Sequence, residues 1–389
     1  MIMIGQIDSL YAKGSAMNPR EAYIVLNMLE GVGPVKVRAL IEALGSPEFI
    51  FNTPHKKLIR IQGIGAELAR RILDAPTMLD CAAEVQKASR YGIRIVTHLD
   101  NEYPPNLKEI HDPPLVLYIR GSLCEQDRHA VAIVGSRRAS HYGRVVADRL
   151  AYQLAKVGFT VVSGLARGVD TAAHEGSLKG GGRTLAVIGS ALDRLYPPEN
   201  AGLADRIAKQ GALLSEFPLR TEPSRNTFPI RNRIVSGLCS GIVVVEAGRK
   251  SGALITANEA MEQGRLVFAV PGRIDTPTSK GCHDLLKQGA RLVDDIDDIL
   301  DEFQYLIRPE QKERVSSLDQ RPEVKLSESE QALVKALWDG PQTVDALTRS
   351  TGLSIAEISM DTMTLEMKRV VRMLPGRVVE LADGIKPKT

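Results

Sequence analysis

Cysteine is scarce in this sequence, which limits the sites and the cellular compartment that can be expected. Four cysteines occur in 389 residues, and none of them forms a CxxC pair. Structural zinc sites and disulfide frameworks need more cysteines or closer spacing, so neither is predicted. The opening stretch MIMIGQIDSLYAKGS lacks a basic segment followed by a long apolar one, and apolar runs of membrane-spanning length are missing. We therefore expect a cytoplasmic protein without a membrane partner.

Aromatic residues and net charge are also low. Phe, Trp and Tyr make up 4% of the chain, and 50 basic residues face 47 acidic ones, a net charge of +3. Base stacking on aromatic rings therefore cannot supply most of the affinity for a nucleic acid. The overall charge gives weak support for a polyanionic partner, so such a partner would have to be recognised by a local cluster.

The signatures of nucleotide cofactors and of common catalytic sites are missing too. The chain contains no G-x-x-x-x-G-K-[ST] loop, no G-x-G-x-x-G fingerprint and no G-x-S-x-G elbow. Asp170 and His174 stand four residues apart, which suits either a metal or acid–base pair or a structural role at a helix start. A third metal ligand has no recognisable spacing. We expect no catalytic residue, no metal and no cofactor.

Residues 1–88 predict a helical domain. Two glycines separated by a single residue precede an amphipathic helix in each of the stretches LEGVGPVKVRALIEALG and LIRIQGIGAELARRIL. Such turns are typical of SAM-like helix-hairpin-helix units, where amides at the helix start contact nucleic-acid backbones. They also occur in helical bundles that bind nothing, and the residue pattern leaves both interpretations open.

Residues 89–305 alternate short apolar runs with helical stretches. Nine runs are strand candidates: IRIVTH, LVLYIRG, AVAIVGS, TVVSG, TLAVIG, ALLSEF, GIVVVEAG, RLVFAVPG and ARLV. Continuous apolar runs are typical of strands that are covered on both faces. Their alternation with helices predicts an α/β fold with a largely parallel, doubly wound sheet.

The last part of the chain predicts a separate module after a linker. Residues 306–325 are polar and are interpreted as the linker. Residues 326–389 predict three helices and a hairpin with Pro-Gly at its tip, which together are typical of a winged-helix domain. The third helix carries Glu357, Asp361 and Glu366 against Lys368 and Arg369. Because a duplex-reading helix should be basic, we predict contact with a protein or support of a dimer.

Three predicted strands end in loops suited to anions. The loops combine glycine, which permits close backbone approach, with helix starts and cations. In an open parallel sheet such loops meet at one edge. The candidate phosphate-binding residues are Gly135, Ser136 and Arg137, then Ser163, Gly164, Arg167 and Gly168, then Lys250, Ser251 and Gly252.

A fourth segment, LRTEPSRNTFPIRNR, is rich in arginine and leads into an apolar run. Arginine forks bind phosphates and a neighbouring ring can stack on an unpaired base, so Phe228, Arg231, Asn232 and Arg233 join the candidates. Tyr142 and Tyr196 are further candidate rings. Glu216 and Glu246 close two strands; they could form a carboxylate pair, but holding Arg231 or Arg233 is the simpler role.

Seven consecutive motifs make the sequence similar to the DNA-processing protein A (DprA, or Smf) family. They are VAIVGSRRASHYG, VVSGLARGVDTAAHEGSL, GGRTLAVIGSALDRLYPPEN, LLSEFPL, FPIRNRIVSGL, VVVEAGRKSGALITANEAMEQGRLVFAVPG and SKGC. The resemblance implies an extended Rossmann-like domain that binds single-stranded DNA, forms a homodimer and loads RecA recombinase during natural transformation, without turnover. It also places the candidates above in one phosphate-binding pocket. His283 stands where the family usually has asparagine.

An enzyme of a related fold is the alternative. A nucleotide phosphoribohydrolase of the lysine-decarboxylase-like family carries a P-G-G-x-G-T-x-x-E loop with a catalytic glutamate. The nearest stretch here, VPGRIDTPTSKG, has no glutamate at that spacing. We therefore expect a DNA-binding protein rather than an enzyme.

Overall fold

The computed structural model of the protein describes residues 17–306, 326–338, 340–368 and 370–381. The chain divides into two compact units, Met1–Arg314 and Val315–Thr389. The predicted linker 306–325 lies outside the described residues, except for its first residue. Among the described residues, every helix is too short or too polar to cross a membrane.

Six helices precede the sheet in the part of the first unit that the structure describes. The glycine turns predicted ahead of two of them are present, since Gly31 and Gly63 adopt left-handed φ values of 82° and 80°, and Gly33 and Gly65 cap the helices that follow. A side chain at a left-handed φ is strained, so the turns require glycine. The helices are α1 Pro19–Met28, α2 Pro34–Leu44, α3 Pro47–Ile50, α4 His55–Leu58, α5 Ala66–Met78 and α6 Cys81–Arg90.

The predicted sheet is confirmed, and each of the nine strand candidates forms one of its strands. The strands are β1 Ile93–Thr97, β2 Val116–Gly121, β3 Ala130–Val134, β4 Thr160–Ser163, β5 Thr184–Val187, β6 Ala212–Ser215, β7 Gly241–Val244, β8 Leu266–Ala269 and β9 Arg291–Leu292. Their order is β1-β2-β6-β5-β4-β3-β7-β8-β9. The β1–β2 and β2–β6 pairs are antiparallel and the others are parallel.

The strand order reverses between β3 and β7, which defines the switch point of the sheet. From β3 the chain adds β4, β5 and β6 on one side and then returns to place β7 on the other. Most of the connections contain a helix: α7 Pro105–Lys108, α8 His141–Lys156, α9 Val169–Lys179, α10 Ala201–Gln210, α11 Thr227–Gly237, α12 Gly252–Glu262 and α13 Lys280–Lys287. A further helix, α14 Asp297–Leu300, follows β9.

The two faces of the sheet bury two apolar clusters. One cluster joins the N-terminal helices and α10 to residues of β1, β2 and β6. The other joins α11, α12 and α13 to the opposite face. The N-terminal helices therefore share a core with the sheet, and the predicted boundary at residues 88 and 89 falls in the last turn of α6. Where the helical and sheet domains divide stays a prediction.

The second unit has the predicted winged-helix elements. They are α15 Glu328–Ala336, β10 Gln342–Thr343, α16 Val344–Thr351, α17 Ile355–Met367, β11 Val371–Leu374 and β12 Val378–Leu381. The strands form a three-stranded antiparallel sheet around the predicted hairpin. Ser327 and Ser354 each form a capping box with a glutamate three residues later, which fixes the starts of α15 and α17.

Candidate nucleic-acid interface

A cavity of ≈ 660 Å³ opens beside the switch point, where β3, β4 and β7 end. Ligands of doubly wound sheets bind at this place because neighbouring connections diverge there. Most of the candidate residues line the cavity: Gly135, Ser136, Arg137, Gly164, Phe228, Arg231, Asn232, Lys250, Ser251 and Gly252. The other candidates, Ser163, Arg167, Gly168 and Arg233, lie outside its lining.

Backbone contacts fix the loops that follow β3, β4 and β7 against one another. The amide of Ser136 donates to the carbonyl of Glu246 at 2.7 Å, and the amide of Val169 donates to the carbonyl of Ser136 at 3.2 Å. Gly168 has a φ of 78°, and a Cβ there would lie 2.3 Å from the carbonyl oxygen of Ser136. Only glycine permits this approach, so Gly168 joins two loops as a scaffold residue, and its phosphate contact stays a prediction.

Ser163 also belongs to the scaffold. Its side chain is buried, and its hydroxyl donates to the carbonyl of Ile133 at 2.6 Å, which links β4 to β3. A hydroxyl that is already bonded and closed to solvent is not available to a phosphate. We therefore correct the prediction that Ser163 contacts the ligand.

Arg231 lies beneath the cavity and contributes a buried positive charge to it. Its Nη1 donates to the carbonyls of Gly164, at 2.8 Å, and Val187. Burial lowers the pKa of Arg231 to about 10, which leaves the guanidinium charged at neutral pH. Its buried Nε has no hydrogen-bond partner among the described residues. A Cβ at position 164 would lie 2.4 Å from Nη1, so Gly164 makes room for this arginine.

The prediction that Arg233 binds phosphate is also corrected, because its side chain points away from the cavity. Its Nη2 donates to Glu216 Oε2 at 2.7 Å, its Nη1 lies 2.5 Å from Glu216 Oε1, and its Nε lies 2.8 Å from Asp112 Oδ2. Burial opposes the charge, but the two carboxylates outweigh it and raise the pKa of Arg233. Residues two apart in a helix point in nearly opposite directions. Arg233 therefore anchors α11, and Glu216 holds this arginine rather than Arg231.

Glu246 has a different role from the one expected. Its carboxylate accepts from the amide of Ser140, at 2.9 Å, and from the hydroxyl of Thr278. A Cβ at Gly143 would lie 2.2 Å from Glu246 Oε2, so the first turn of α8 is packed onto this carboxylate. Glu246 thus fixes the start of α8 and the segment before α13, in place of the predicted contact with an arginine.

Asp170 and His174 are both buried at the start of α9 but have separate partners. Asp170 Oδ2 accepts from the amides of Gly164, at 3.1 Å, and Ala166, at 3.2 Å, so it shapes the loop after β4. Burial raises its pKa, while Arg231 and these amides act in the opposite direction. His174 Nδ1 lies 2.7 Å from Thr184 Oγ1, and burial lowers the pKa of His174 to about 3. This geometry favours the structural interpretation of the pair.

Arg137 lies over the ring of Phe228 at one wall of the cavity. Its guanidinium carbon is 4.8 Å from the ring centroid, within the range of a cation–π contact. The ring itself is wedged against Gly189, where a Cβ would lie 2.7 Å from Phe228 Cδ1. Phe228 is therefore held in place, and the cation is held above it.

The cavity is strongly basic, and part of this charge was missed from sequence. Five basic side chains line it, Arg137, Arg138, Arg225, Arg231 and Lys250, whereas Asp170 is the acidic residue that the described lining contributes. Arg138 could have been found from the doublet Arg137–Arg138, and Arg225 from its position in the arginine-rich segment. Thr256 and Thr278, also in the lining, carry no signal in the sequence.

The start of α12 forms another wall. Ser251 is its N-cap, and its side chain accepts from the amide of Ala253 at 3.3 Å. Lys250, Ser251 and Gly252 all line the cavity. The unpaired amides of a first helical turn and the helix dipole favour anions, so this wall adds to the positive potential of the five basic side chains.

Comparison with known proteins identifies the family. The model of the DNA recombination-mediator protein A family matches residues 94–304. The chain belongs to this family. Models of the DprA winged-helix domain and of a SAM-like helix-hairpin-helix tandem match residues 318–377 and 24–75, which confirms the predicted layout. His283, the departure from the family motif, has its Nε2 2.9 Å from the carbonyl oxygen of Gly272.

Individual relatives support the assignment. Protein Smf of Synechocystis sp. is 32% identical over 92% of this chain and 98% of its own length. DNA processing protein DprA of Bacillus subtilis is 43% identical over 54% of this chain and 72% of its own. The crystal structure of DprA from Streptococcus pneumoniae aligns with a TM-score of 0.64 at 35% identity, over 74% of this chain and 99% of its own. A Helicobacter pylori DNA processing protein A structure, described for its single-stranded DNA binding mode, aligns with a TM-score of 0.50 at 32% identity, over 55% and 97%.

Proposed function

We propose that this protein binds single-stranded DNA through the cavity at the switch point. The observation that carries the proposal is the convergence of Arg137, Arg138, Arg225, Arg231 and Lys250 on one crevice that also contains the start of α12. Such a cluster suits the phosphates of a nucleic-acid backbone. The Helicobacter pylori relative, whose structure is described for single-stranded DNA binding, supports the choice of ligand.

The shape of the site favours an unpaired strand. The cavity has the size of a small-molecule site, so it admits single nucleotides but not the width of a duplex. Phe228 beside Arg137 offers an apolar surface next to the cations, and stacking of unpaired bases on rings is tolerant of sequence. We therefore expect binding with little sequence preference.

The role assigned is binding without turnover, in the cytoplasm and as a homodimer that passes DNA to RecA. The family resemblance supports the RecA and dimer parts of this proposal, and the sparse cysteines and the lack of long apolar runs in the sequence support the compartment. Asp170 and His174 are not proposed as an acid–base pair, because Asp170 accepts from two amides and His174 is buried. A phosphoribohydrolase is not proposed, since its glutamate is missing from the loop after β8.

A salt titration tests the ligand. Fluorescence anisotropy would compare a labelled oligothymidylate of about 20 nucleotides, longer than most single-strand sites, with a duplex of equal length. If four exposed cations contact phosphates, the affinity for the single strand falls with salt at a log–log slope of about −3. Equal affinity for the duplex, or affinity independent of salt, would overturn the proposal.

A second experiment tests the transfer to RecA. Gel shifts of the same oligonucleotide, with and without RecA, would follow the formation of a ternary complex and its conversion to RecA filaments. Faster filament growth in the presence of the protein supports the role. Slower growth would mean that the protein only shields the strand. Sedimentation equilibrium tests the homodimer.

A further inference from the structure

Two aromatic rings and two arginines form a continuous row that leaves the cavity. Arg137 lies over Phe228, the Phe228 and Tyr196 ring centroids are 5.9 Å apart, and the guanidinium carbon of Arg167 lies 5.9 Å from the Tyr196 centroid. Tyr196 and Arg167 lie outside the lining of the cavity. The row therefore repeats the ring-and-arginine arrangement of the cavity wall at a second position.

The outer half of the row is accessible. Tyr196 is 38% exposed, and the side chains of Arg167 and Glu199 are 54% and 49% exposed. The guanidinium of Arg167 donates from Nε to the carboxylate of Glu199. Glu199 thus occupies the hydrogen-bonding position that a phosphate would take on Arg167. The corresponding arginine at the cavity, Arg137, likewise lies over a ring, that of Phe228.

We propose that Tyr196 and Arg167 form a second nucleotide subsite and that Glu199 restrains it. The inference rests on the proposed function, because it needs a strand already held in the cavity. The next base stacks on Tyr196, Arg167 moves from the ring to the adjoining phosphate, and Glu199 competes with that phosphate for the guanidinium. The subsite therefore extends the DNA-binding surface from the ends of β3 and β4 to the segment after β5.

Replacement of Arg167 by a base on the ring of Tyr196 is energetically favourable. An exposed cation–π contact contributes about two- to fivefold in an equilibrium constant. Stacking of a base on an aromatic side chain contributes about five- to 150-fold. An exposed arginine–carboxylate pair contributes about fivefold at most. A base can therefore displace Arg167 from Tyr196, and Glu199 weakens the subsite without closing it.

Substitutions with matched controls test the subsite. Tyr196→Ala should weaken binding of an oligothymidylate by about tenfold, and Tyr196→Phe should bind like the parent. Tyr152→Ala is the control, because Tyr152 also carries a cation, Lys156, at 5.3 Å but lies on α8. Glu199→Gln should tighten binding by about threefold. Glu175→Gln is its control, since Glu175 pairs with Arg206 at 2.8 Å and the change in net charge is the same.

An abasic oligonucleotide of the same length separates stacking from charge. Tyr196→Ala should lose its effect on the abasic strand, whereas Glu199→Gln should tighten both strands because it acts on the phosphate. Equal effects of Tyr196→Ala on both strands would overturn the stacking part, and effects no larger than those of the two controls would overturn the subsite.

A separate variant, Arg137→Ala, tests the proposed function in the same experiment. Arg137→Ala weakens both strands if the cavity binds DNA. If it does so while Tyr196→Ala and Glu199→Gln behave like their controls, the subsite fails and the proposed function stands. If Arg137→Ala has no effect, the cavity assignment itself fails. Thermal unfolding midpoints equal to that of the parent show that each variant is folded.

Discussion

The cavity beside β3 and the exposed face of α17 both belong to folds associated with DNA, yet their surfaces differ in chemistry. The cavity brings together five basic side chains around the start of α12. The face of α17 instead exposes Met360, Met363 and Met367, which are 67–78% exposed. These positions, three and four residues apart, share one side of the helix. The helix therefore presents a polarizable apolar stripe where a duplex reader would carry cations.

The charges around this stripe also argue against duplex binding. Glu357 receives hydrogen bonds from the amide of Ser354 at 2.8 Å and from its hydroxyl at 2.7 Å, so it serves the helix start. Lys368 donates to both carboxylate oxygens of Glu330 at 2.7 Å. Arg369 lies outside the described residues. Fold alone does not determine surface chemistry, and methionine-rich surfaces are typical of adaptable protein contacts.

The largest effect is expected from removing the buried charge beneath the cavity. Arg231→Met removes a donor from the carbonyls of Gly164 and Val187 and a stabilising positive charge from buried Asp170, so the free energy of unfolding of the first unit should fall by about 3–5 kcal/mol. Single-stranded DNA binding should be lost with it. Adding Asp170→Asn should restore part of the stability. Trp338, the single tryptophan, lies in the second unit, so its fluorescence reports on that unit rather than on the first.

If Arg231→Met lowers the free energy of unfolding but adding Asp170→Asn restores none of it, this account is contradicted. Chemical denaturation followed by circular dichroism measures the first unit, because most of the described helices belong to it. Arg206→Met is a control, since Arg206 forms an exposed pair with Glu175 and should cost less than about 1 kcal/mol.

Acid should destabilise the first unit through His174. Its pKa in the folded protein, about 3, lies below the ordinary value of 6.5. Between these two pH values the imidazole is therefore protonated in the unfolded chain but neutral in the folded protein. Stability is therefore complete above pH 6.5 and falls as the pH is lowered, by about 3 kcal/mol at pH 4. His174→Gln should remove this slope, whereas His111→Gln, at an exposed position, should not. An unchanged slope in His174→Gln would mean that other groups control acid unfolding.

The sheet could be predicted from sequence because its strands are continuous apolar runs, and the positions of the loops follow from the parallel topology. Gly135, Ser136, Arg137 and Gly164 were therefore expected at one edge of the sheet, where they line the cavity, and their binding of phosphate stays a prediction. The direction in which each side chain points was harder to predict from sequence. Arg231 and Arg233 look equivalent in the sequence, and they separate only once residues 227–237 are known to be helical.

Contacts between distant residues were beyond the sequence. Gly168 is needed because Ser136 approaches it, and the partners of Glu246 lie at Ser140 and Thr278. Each of these pairs depends on how neighbouring loops meet in three dimensions. Tyr196 and Arg167 were candidates, but their alignment with Phe228 was not predicted, because the rings of Tyr196 and Phe228 are 32 residues apart in the chain.

Two neighbouring cations offer a finer test of the cavity. Lys250 lines it, whereas Arg249 is 71% exposed and pairs with Asp284 at 3.1 Å. Lys250→Ala should weaken single-stranded DNA binding by about fivefold for every sequence and reduce the salt slope by about 0.7. Arg249→Ala should change neither quantity. Equal losses in both variants would show that overall charge, rather than the cavity, governs affinity.

The smallest effect is expected on the winged helix. Met363→Lys places a cation in the middle of the exposed face of α17, and a substitution at such a position changes stability by less than about 0.5 kcal/mol. If this face does not meet DNA, the affinities of the full-length variant for single-stranded and duplex DNA should equal those of the parent. Met363→Gln is the uncharged control. A gain in duplex affinity with lysine but not with glutamine would place this face within reach of a DNA backbone and would remove the contrast between the two regions.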